Sequence, residues 1–200
     1  MKRLTPFLFL LAVAVPMSGA ESDPGEKLRS TVRSAMDVVY ASDYAKEERK
    51  AKVLDVLEAN YDLNVIIRRA MGRNWRLLEE GEKTKVTRLI KQLVAKAFVD
   101  NLDGGERPEV TFGEVVTVTE SRLEIPSTVR TGGEVYEVLY RMGRLRSGWQ
   151  IYDIVAEDIS LVSNYREQLN EHFRKGNGQQ LVEKLENMLE KETINEPLEI

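Results

Sequence analysis

The chain has 200 residues, of which 31% are charged and 42% hydrophobic, with a formal net charge of −4. That is enough for one domain with a real core, and six prolines and 13 glycines argue against long disorder. The absence of cysteine excludes a disulfide framework, a thiol nucleophile and a thiolate metal site; the single His172 excludes a histidine-cluster metal site and argues against a His-based triad.

Residues 1–20 read as a signal peptide. Lys2 and Arg3 form the positive end, Leu4 to Val15 the apolar run broken by Pro6, and Ser18-Gly19-Ala20 a small-residue cleavage site that makes Glu21 the mature N-terminus. The run is shorter than the roughly 18 apolar residues needed to span a bilayer, and no cysteine follows it to take a lipid anchor. Of the 29 basic residues, losing Lys2 and Arg3 leaves 27 against 33 acidic ones, a net −6. That balance supports neither nucleic-acid binding through a basic face nor adhesion to an anionic membrane. Export without cysteine fits a bacterial periplasm.

The first helix starts at Asp23-Pro24-Gly25-Glu26, with Asp23 as cap and Pro24 at the first helical position. Its stripe is Leu28, Val32, Ala35, Met36 and Val39. A second helix is expected over about Ala45 to Ala59, with Val53, Leu54 and Leu57 inward. Asp62 caps a third, which carries Ile66, Ile67 and Ala70 and stops at Gly72. A long helix follows from about Glu82 to Asn101, striped by Val86, Leu89, Ile90, Leu93, Val94, Ala97 and Phe98 and ended by Asp103-Gly104-Gly105.

Four strands are predicted next: Val110 to Glu120, Leu123 to Val129, Val135 to Leu145, and one from Gly148. Gly132-Gly133 and Ser147-Gly148 form the hairpin turns. Pro126 lacks a donor, which places its strand at an edge or at a bulge. From Trp149 the period is two; from Ile159 it becomes helical through Val162, Tyr165 and Leu169, with Asp158 or Ser160 as cap. Asn177-Gly178 separates a last helix carrying Leu181, Val182, Leu185 and Leu189. Residues 21–192 then form a single domain and 193–200 a loose tail. The class is α+β, a four-stranded antiparallel meander with helices packed on one face and an apolar space between the layers.

No phosphate loop and no Gly-x-Ser-x-Gly elbow is present. Asp153 is the one acidic residue in an apolar setting, sharing a predicted face with Trp149, Ile151 and Val155. It reads either as a general base in an apolar cavity, or as a structural carboxylate paired with an arginine such as Arg166 or turned to solvent by a bulge. No second acid or histidine completes a mechanism around it, which weighs toward structure. Trp75 and Trp149 read as core residues before they read as ligand contacts.

Two segments resemble a known family. They are Tyr61-Asp62-Leu63 with Arg69-Ala70-Met71-Gly72-Arg73-Asn74-Trp75-Arg76, and Gly148-Trp149-Gln150-Ile151-Tyr152-Asp153-Ile154 with Ile159-Ser160-Leu161-Val162-Ser163-Asn164-Tyr165-Arg166-Glu167-Gln168-Leu169. Both look like the periplasmic MlaC-type phospholipid carriers, also called toluene-tolerance auxiliary proteins. Where that family has Glu-Gly before the Ile-Ser-Leu run, this chain has Glu157-Asp158, and Asp tolerates the left-handed conformation such a turn needs. The resemblance implies a carrier without enzymatic activity or cofactor, holding phospholipid as cargo. It implies exchange with an inner-membrane ABC transporter bearing an MCE-domain ring and with an outer-membrane lipoprotein–porin complex, in the service of outer-membrane lipid asymmetry. The protein is expected to be monomeric. From their shared faces, Val65, Ile66, Leu93, Phe98, Val116, Val118, Val138, Tyr140, Ile151, Val155 and Val162 are the expected pocket lining. Two rivals stand beside this reading, a small-molecule enzyme of a cone-shaped α+β fold using Asp153 as base, and an interaction module with a filled core.

Overall fold

The computed structural model describes residues 23–192. The expected signal peptide and the expected tail both lie outside the described residues. Helix α1 spans Pro24–Val39, and the Asp23 carboxylate accepts the Glu26 N–H at 2.7 Å, which answers one of the donors a helix start leaves free. Next come α2 (Lys46–Asn60) and α3 (Leu63–Met71), the latter capped by Asp62. Gly72 ends α3 at φ 53°, a left-handed conformation that glycine adopts without steric cost. A 3-10 segment, Gly72–Leu77, leads into the 23-residue α4 (Glu80–Leu102), whose start Glu79 and Glu82 close as a capping box.

The sheet has six strands where four were expected: β1 (Glu109–Phe112), β2 (Val116–Thr119), β3 (Arg122–Thr131), β4 (Glu134–Leu145), β5 (Gly148–Ala156) and the two-residue β6 (Ile159–Ser160). Their order is β1-β3-β4-β5-β6, all antiparallel, with β2 also on β3. One expected strand, Val110 to Glu120, is thus two, and Pro126 is the physical reason. It lies not on an edge but in β3, which is paired on both sides. Its missing N–H falls between the end of β1, where Phe112 faces Ser127, and the start of β2, where Val116 faces Glu124. Only its carbonyl is used on that side, by the Gly113 N–H at 2.8 Å. The proline therefore breaks its neighbour rather than its own strand.

The chain closes with α5 (Leu161–Lys175) and α6 (Gly178–Glu190). Ser160 caps α5, and both Glu157 and Asp158 take positive φ, 47° and 63°, in the turn before it. Three apolar clusters result. The α3, α4, α5 and α6 faces meet around Ile67, Leu93, Leu169 and Leu181. Residues Ala35, Val39, Val53 and Val99 join α1, α2 and α4. The third lies between α1 and the sheet, around Leu28, Tyr61, Leu123, Ile125 and Met142.

Candidate functional site

Strand register defines an apolar sheet face. The Gly132-Gly133 turn fixes the β3–β4 pairing, so Tyr136 faces Val129, Val138 faces Ser127, Tyr140 faces Ile125 and Met142 faces Leu123. Val110 and Phe112 of β1 continue the same face, since they sit opposite Val129 and Ser127. At one end Leu28 of α1 and Tyr61 cover it, and Leu123, Ile125 and Met142 are buried. Toward the hairpin the cover thins: Val110, Val129 and Val138 are half-buried and Tyr136 is 37% exposed. From Tyr136 to Met142 the strip runs about 20 Å at a rise of ~3.4 Å per residue.

Hydroxyl groups punctuate this layer. Thr31 is buried and donates to the Lys27 carbonyl at 2.7 Å, and Ser127 is buried and donates to the Val138 carbonyl at 3.2 Å. Burial pushes the Tyr140 and Tyr61 phenols well above their ordinary range, so both stay neutral. The Lys27 ammonium sits 4.8 Å from the centre of the Tyr61 ring.

The strand-to-helix junction is built on Asp153, and a bulge decides where that carboxylate points. β5 pairs Asp153 with Arg141 but Ile151 with Met142, so one residue of β5 is extra. Ile151 therefore shares the Tyr140 face, while Asp153 and Val155 lie on the opposite one, a correction to the unbroken alternation expected from Trp149 to Val155. The bulge does not turn Asp153 to solvent; it is 6% exposed. Its carboxylate accepts from the Ser160 hydroxyl at 2.8 and 2.9 Å, from Arg141 Nη1 at 3.2 Å and from the Val162 N–H at 3.3 Å. Arg141, rather than Arg166, is thus its cationic partner. Arg166 instead donates from Nε and Nη2 to the Arg69 carbonyl at 3.1 and 2.5 Å, beside the turn at Gly72. The two signature segments meet at that contact.

The eleven expected lining residues fall into separate environments. Val138, Tyr140 and Ile151 lie together on the sheet face under α1. Val155 and Val162 are buried at the junction on the other face. Leu93 belongs to the all-helical cluster, with Ile66 packed against it, and Val65 is half-buried on α3. Phe98 packs in the α1–α2–α4 cluster. Val116 faces Glu124, on the side away from Ile125, and is 50% exposed; Val118 lies at a register shift and is 51% exposed. Leu28, Tyr61, Phe112, Ile125 and Met142, which the sequence reading did not single out as lining, complete the apolar layer. The hairpin register was the signal that could have found the sheet members.

Hollows also open elsewhere. One of about 770 Å³ between α2 and α4 is lined by Arg68, Arg88, Lys91, Glu58 and Glu80 beside Trp75, and its charged walls suit polar contacts rather than acyl chains. A smaller one of about 430 Å³ lies outside Tyr61, bordered by Lys27, Asn60, Asn64, Lys91 and Gln150. Among the described residues no helix is long and apolar enough to cross a membrane, and no cluster of three or more metal-ligating side chains occurs.

An open antiparallel sheet with an apolar face, covered at one end by helices, defines an α+β fold. The MlaC protein family model matches residues 29–187, and the chain belongs to that family. A phospholipid-binding protein from Ralstonia solanacearum, solved in complex with a phospholipid, shares the fold. Its TM-score is 0.67 at 20% identity, covering 85% of this chain and 100% of that one. No curated protein matches the chain.

Proposed function

We propose that this protein is a phospholipid carrier that holds acyl chains against the β3–β4 face, beneath α1. The observation that carries the proposal is the apolar strip from Met142 to Tyr136, buried at one end and half-open at the other. Its ~20 Å length accommodates an acyl chain, about half of a ~30 Å bilayer core. Membership of the MlaC family and the phospholipid seen in the Ralstonia solanacearum structure support the same reading.

The physical task explains the design. Exposing an acyl chain to water costs about 0.8 kcal/mol per CH₂, so roughly fourteen methylenes cost ~11 kcal/mol and a bare lipid does not cross an aqueous gap at useful rates. An apolar face about as hydrophobic as a bilayer makes pick-up and release nearly balanced. On this reading the chain is exported to the periplasm. It exchanges lipid between an inner-membrane MCE-type ABC transporter and an outer-membrane lipoprotein–porin complex, and so maintains lipid asymmetry. Its role is carriage, not catalysis, and Asp153 serves the fold. In the present structure Leu28 and Tyr61 occupy the covered end, so loading requires α1 to shift from the sheet.

Native mass spectrometry of the mature protein, followed by lipid extraction, tests the proposal. Phospholipid at near one per chain is expected, and Val138→Asp is expected to abolish it because a carboxylate on that strip is desolvated without a partner. Val116→Asp serves as a control on the exposed opposite face and is expected to keep its lipid. A protein that stays lipid-free after incubation with liposomes overturns the carrier reading; lipid-loaded Val138→Asp overturns the assignment of the face.

A further inference from the structure

Tyr61 places a hydrogen-bond donor where packing alone has no use for one. The residue is 4% exposed, and its ring packs with Leu28, Ile125 and Met142. Its hydroxyl is fully buried and has no hydrogen-bond partner among the described residues. The Thr31 hydroxyl lies close enough to influence it, but no well-formed hydrogen bond joins the two, and the Thr31 proton goes to the Lys27 carbonyl. Tyr140, the next neighbour, acts on it only through its charge if ionised. Buried hydroxyls in proteins are almost always paired, and phenylalanine would fill the same space with nothing to satisfy.

The surroundings of Tyr61 change character from one side to the other. Outside lies the polar hollow with Lys27, Lys91 and Asn64, and Lys27 spans the ring itself. Inside lies the apolar strip of Ile125, Tyr140 and Met142. A diacyl glycerophospholipid has the same order of parts: a charged headgroup, ester carbonyls that accept but do not donate, then hydrocarbon. We propose that Tyr61 is a specificity-determining residue of the lipid site, and that its hydroxyl donates to an ester carbonyl of the bound lipid while Lys27 stands on the phosphate side. The inference rests on the carrier reading above and deepens it, because it selects ester-linked over ether-linked lipids. An ether oxygen is a poorer and differently placed acceptor, and it leaves the Tyr61 donor unpaired.

The test is a competition. Wild-type protein and Tyr61→Phe are each incubated with vesicles of equal parts diacyl and diether phosphatidylglycerol of matched chain length, and the bound species are weighed by native mass spectrometry. Wild type is expected to favour the diacyl lipid between about threefold and tenfold, the range one neutral hydrogen bond supplies. Tyr61→Phe is expected to bind both alike, with a lipid-free melting temperature equal to or above wild type because a stranded donor has gone. A Tyr61→Phe protein that retains the wild-type ratio overturns the proposal, as does a wild-type protein without preference. A Tyr61→Phe melting temperature clearly below wild type also overturns it, since the hydroxyl would then serve the fold. Lipid of either kind on neither protein overturns the carrier reading itself, which the competition separates from the role of Tyr61.

Discussion

Removing the Asp153 carboxylate is expected to loosen the junction between β5 and α5 without emptying the lipid site. In Asp153→Ala the Val162 N–H loses its acceptor, and the Ser160 hydroxyl keeps only the Ser163 hydroxyl at 3.0 Å. A buried donor left unsatisfied costs about 1–3 kcal/mol. Arg141 fares better, because it keeps Glu124 at 3.1 Å and its side chain is 35% exposed. The roughly 3–5 kcal/mol penalty for stranding a buried charge therefore does not apply in full, and its lost pairing adds no more than about 1 kcal/mol. The total is about 3 kcal/mol, a fall in Tm of roughly 6–12 °C for a domain of this size. Asp153→Asn keeps an acceptor for Val162 and loses the charge, so about 1 kcal/mol and roughly 2–4 °C are expected. Calorimetry supplies the Tm values and native mass spectrometry the lipid load, measured well below the transition. An alanine variant within about 2 °C of wild type refutes the structural role argued from the geometry. An asparagine variant that keeps its Tm but carries no lipid refutes the assignment of this carboxylate to the fold.

Other perturbations have opposite signs. At Gly113 an added Cβ would lie 2.9 Å from Cγ of the stiff Pro126 ring, so Gly113→Ala is expected to cost about 1–3 kcal/mol in denaturant unfolding. At Gly81, near the start of α4, a Cβ meets open space, so Gly81→Ala is expected to stabilise by up to ~1 kcal/mol. Asp100 is buried between the ammonium groups of Lys96 at 2.7 Å and Lys46 at 2.9 Å. Asp100→Asn leaves Lys96 with the Glu192 carbonyl at 3.1 Å but without its counter-charge, and is expected to cost about 3–5 kcal/mol, most of it recovered in a Lys96→Met, Asp100→Leu double variant. Burial raises the Tyr61 and Tyr140 phenols above 10.0, and the hydrogen bond that Lys46 donates to Asp100 raises Lys46 above 10.5. In each case the folded state holds its proton longer than the unfolded one, so that stability is present below the unfolded value and lost as pH rises through the folded one. Tm is expected to fall above about pH 10, and a Tm unchanged to about pH 11 contradicts the burial of these phenols.

Features carried by local backbone chemistry were legible in the sequence. Asp23 before Pro24, Asp62, Gly72 and Ser160 each act at the position their side chain or conformational freedom dictates. The turn at Glu157-Asp158 takes the left-handed conformation that the substitution of Asp for glycine left open. Pro126 was read correctly as a residue that cannot donate, yet the consequence fell elsewhere. A missing N–H interrupts whichever strand would have accepted it, and the sequence of one strand does not say which neighbour that is. The bulge opposite Arg141 was weighed only as a way of turning Asp153 to solvent, and its effect on the faces was hidden for a related reason. An extra residue at Tyr152 leaves the hydrophobic pattern plausible on both sides while exchanging the faces of Ile151 and Asp153.

The lining was less legible than the fold because a cavity wall and a core wall are made of the same side chains. Leu93 and Val138 are both aliphatic residues on an apolar stripe, and nothing in the stripe distinguishes the first, locked among helices, from the second, half-open on a sheet. What separates them is the partner across the layer, a tertiary fact. A residue whose chemistry conflicts with mere packing is the exception. Tyr61 carries a donor into an apolar layer and leaves it unpaired, whereas Leu28 beside it carries none. A filled core is more stable with every buried donor answered; a site that alternates between empty and loaded has room for a donor that the ligand answers. The buried hydroxyl without a hydrogen bond is therefore the feature of this layer that packing explains least, and the Tyr61→Phe competition decides whether a ligand explains it.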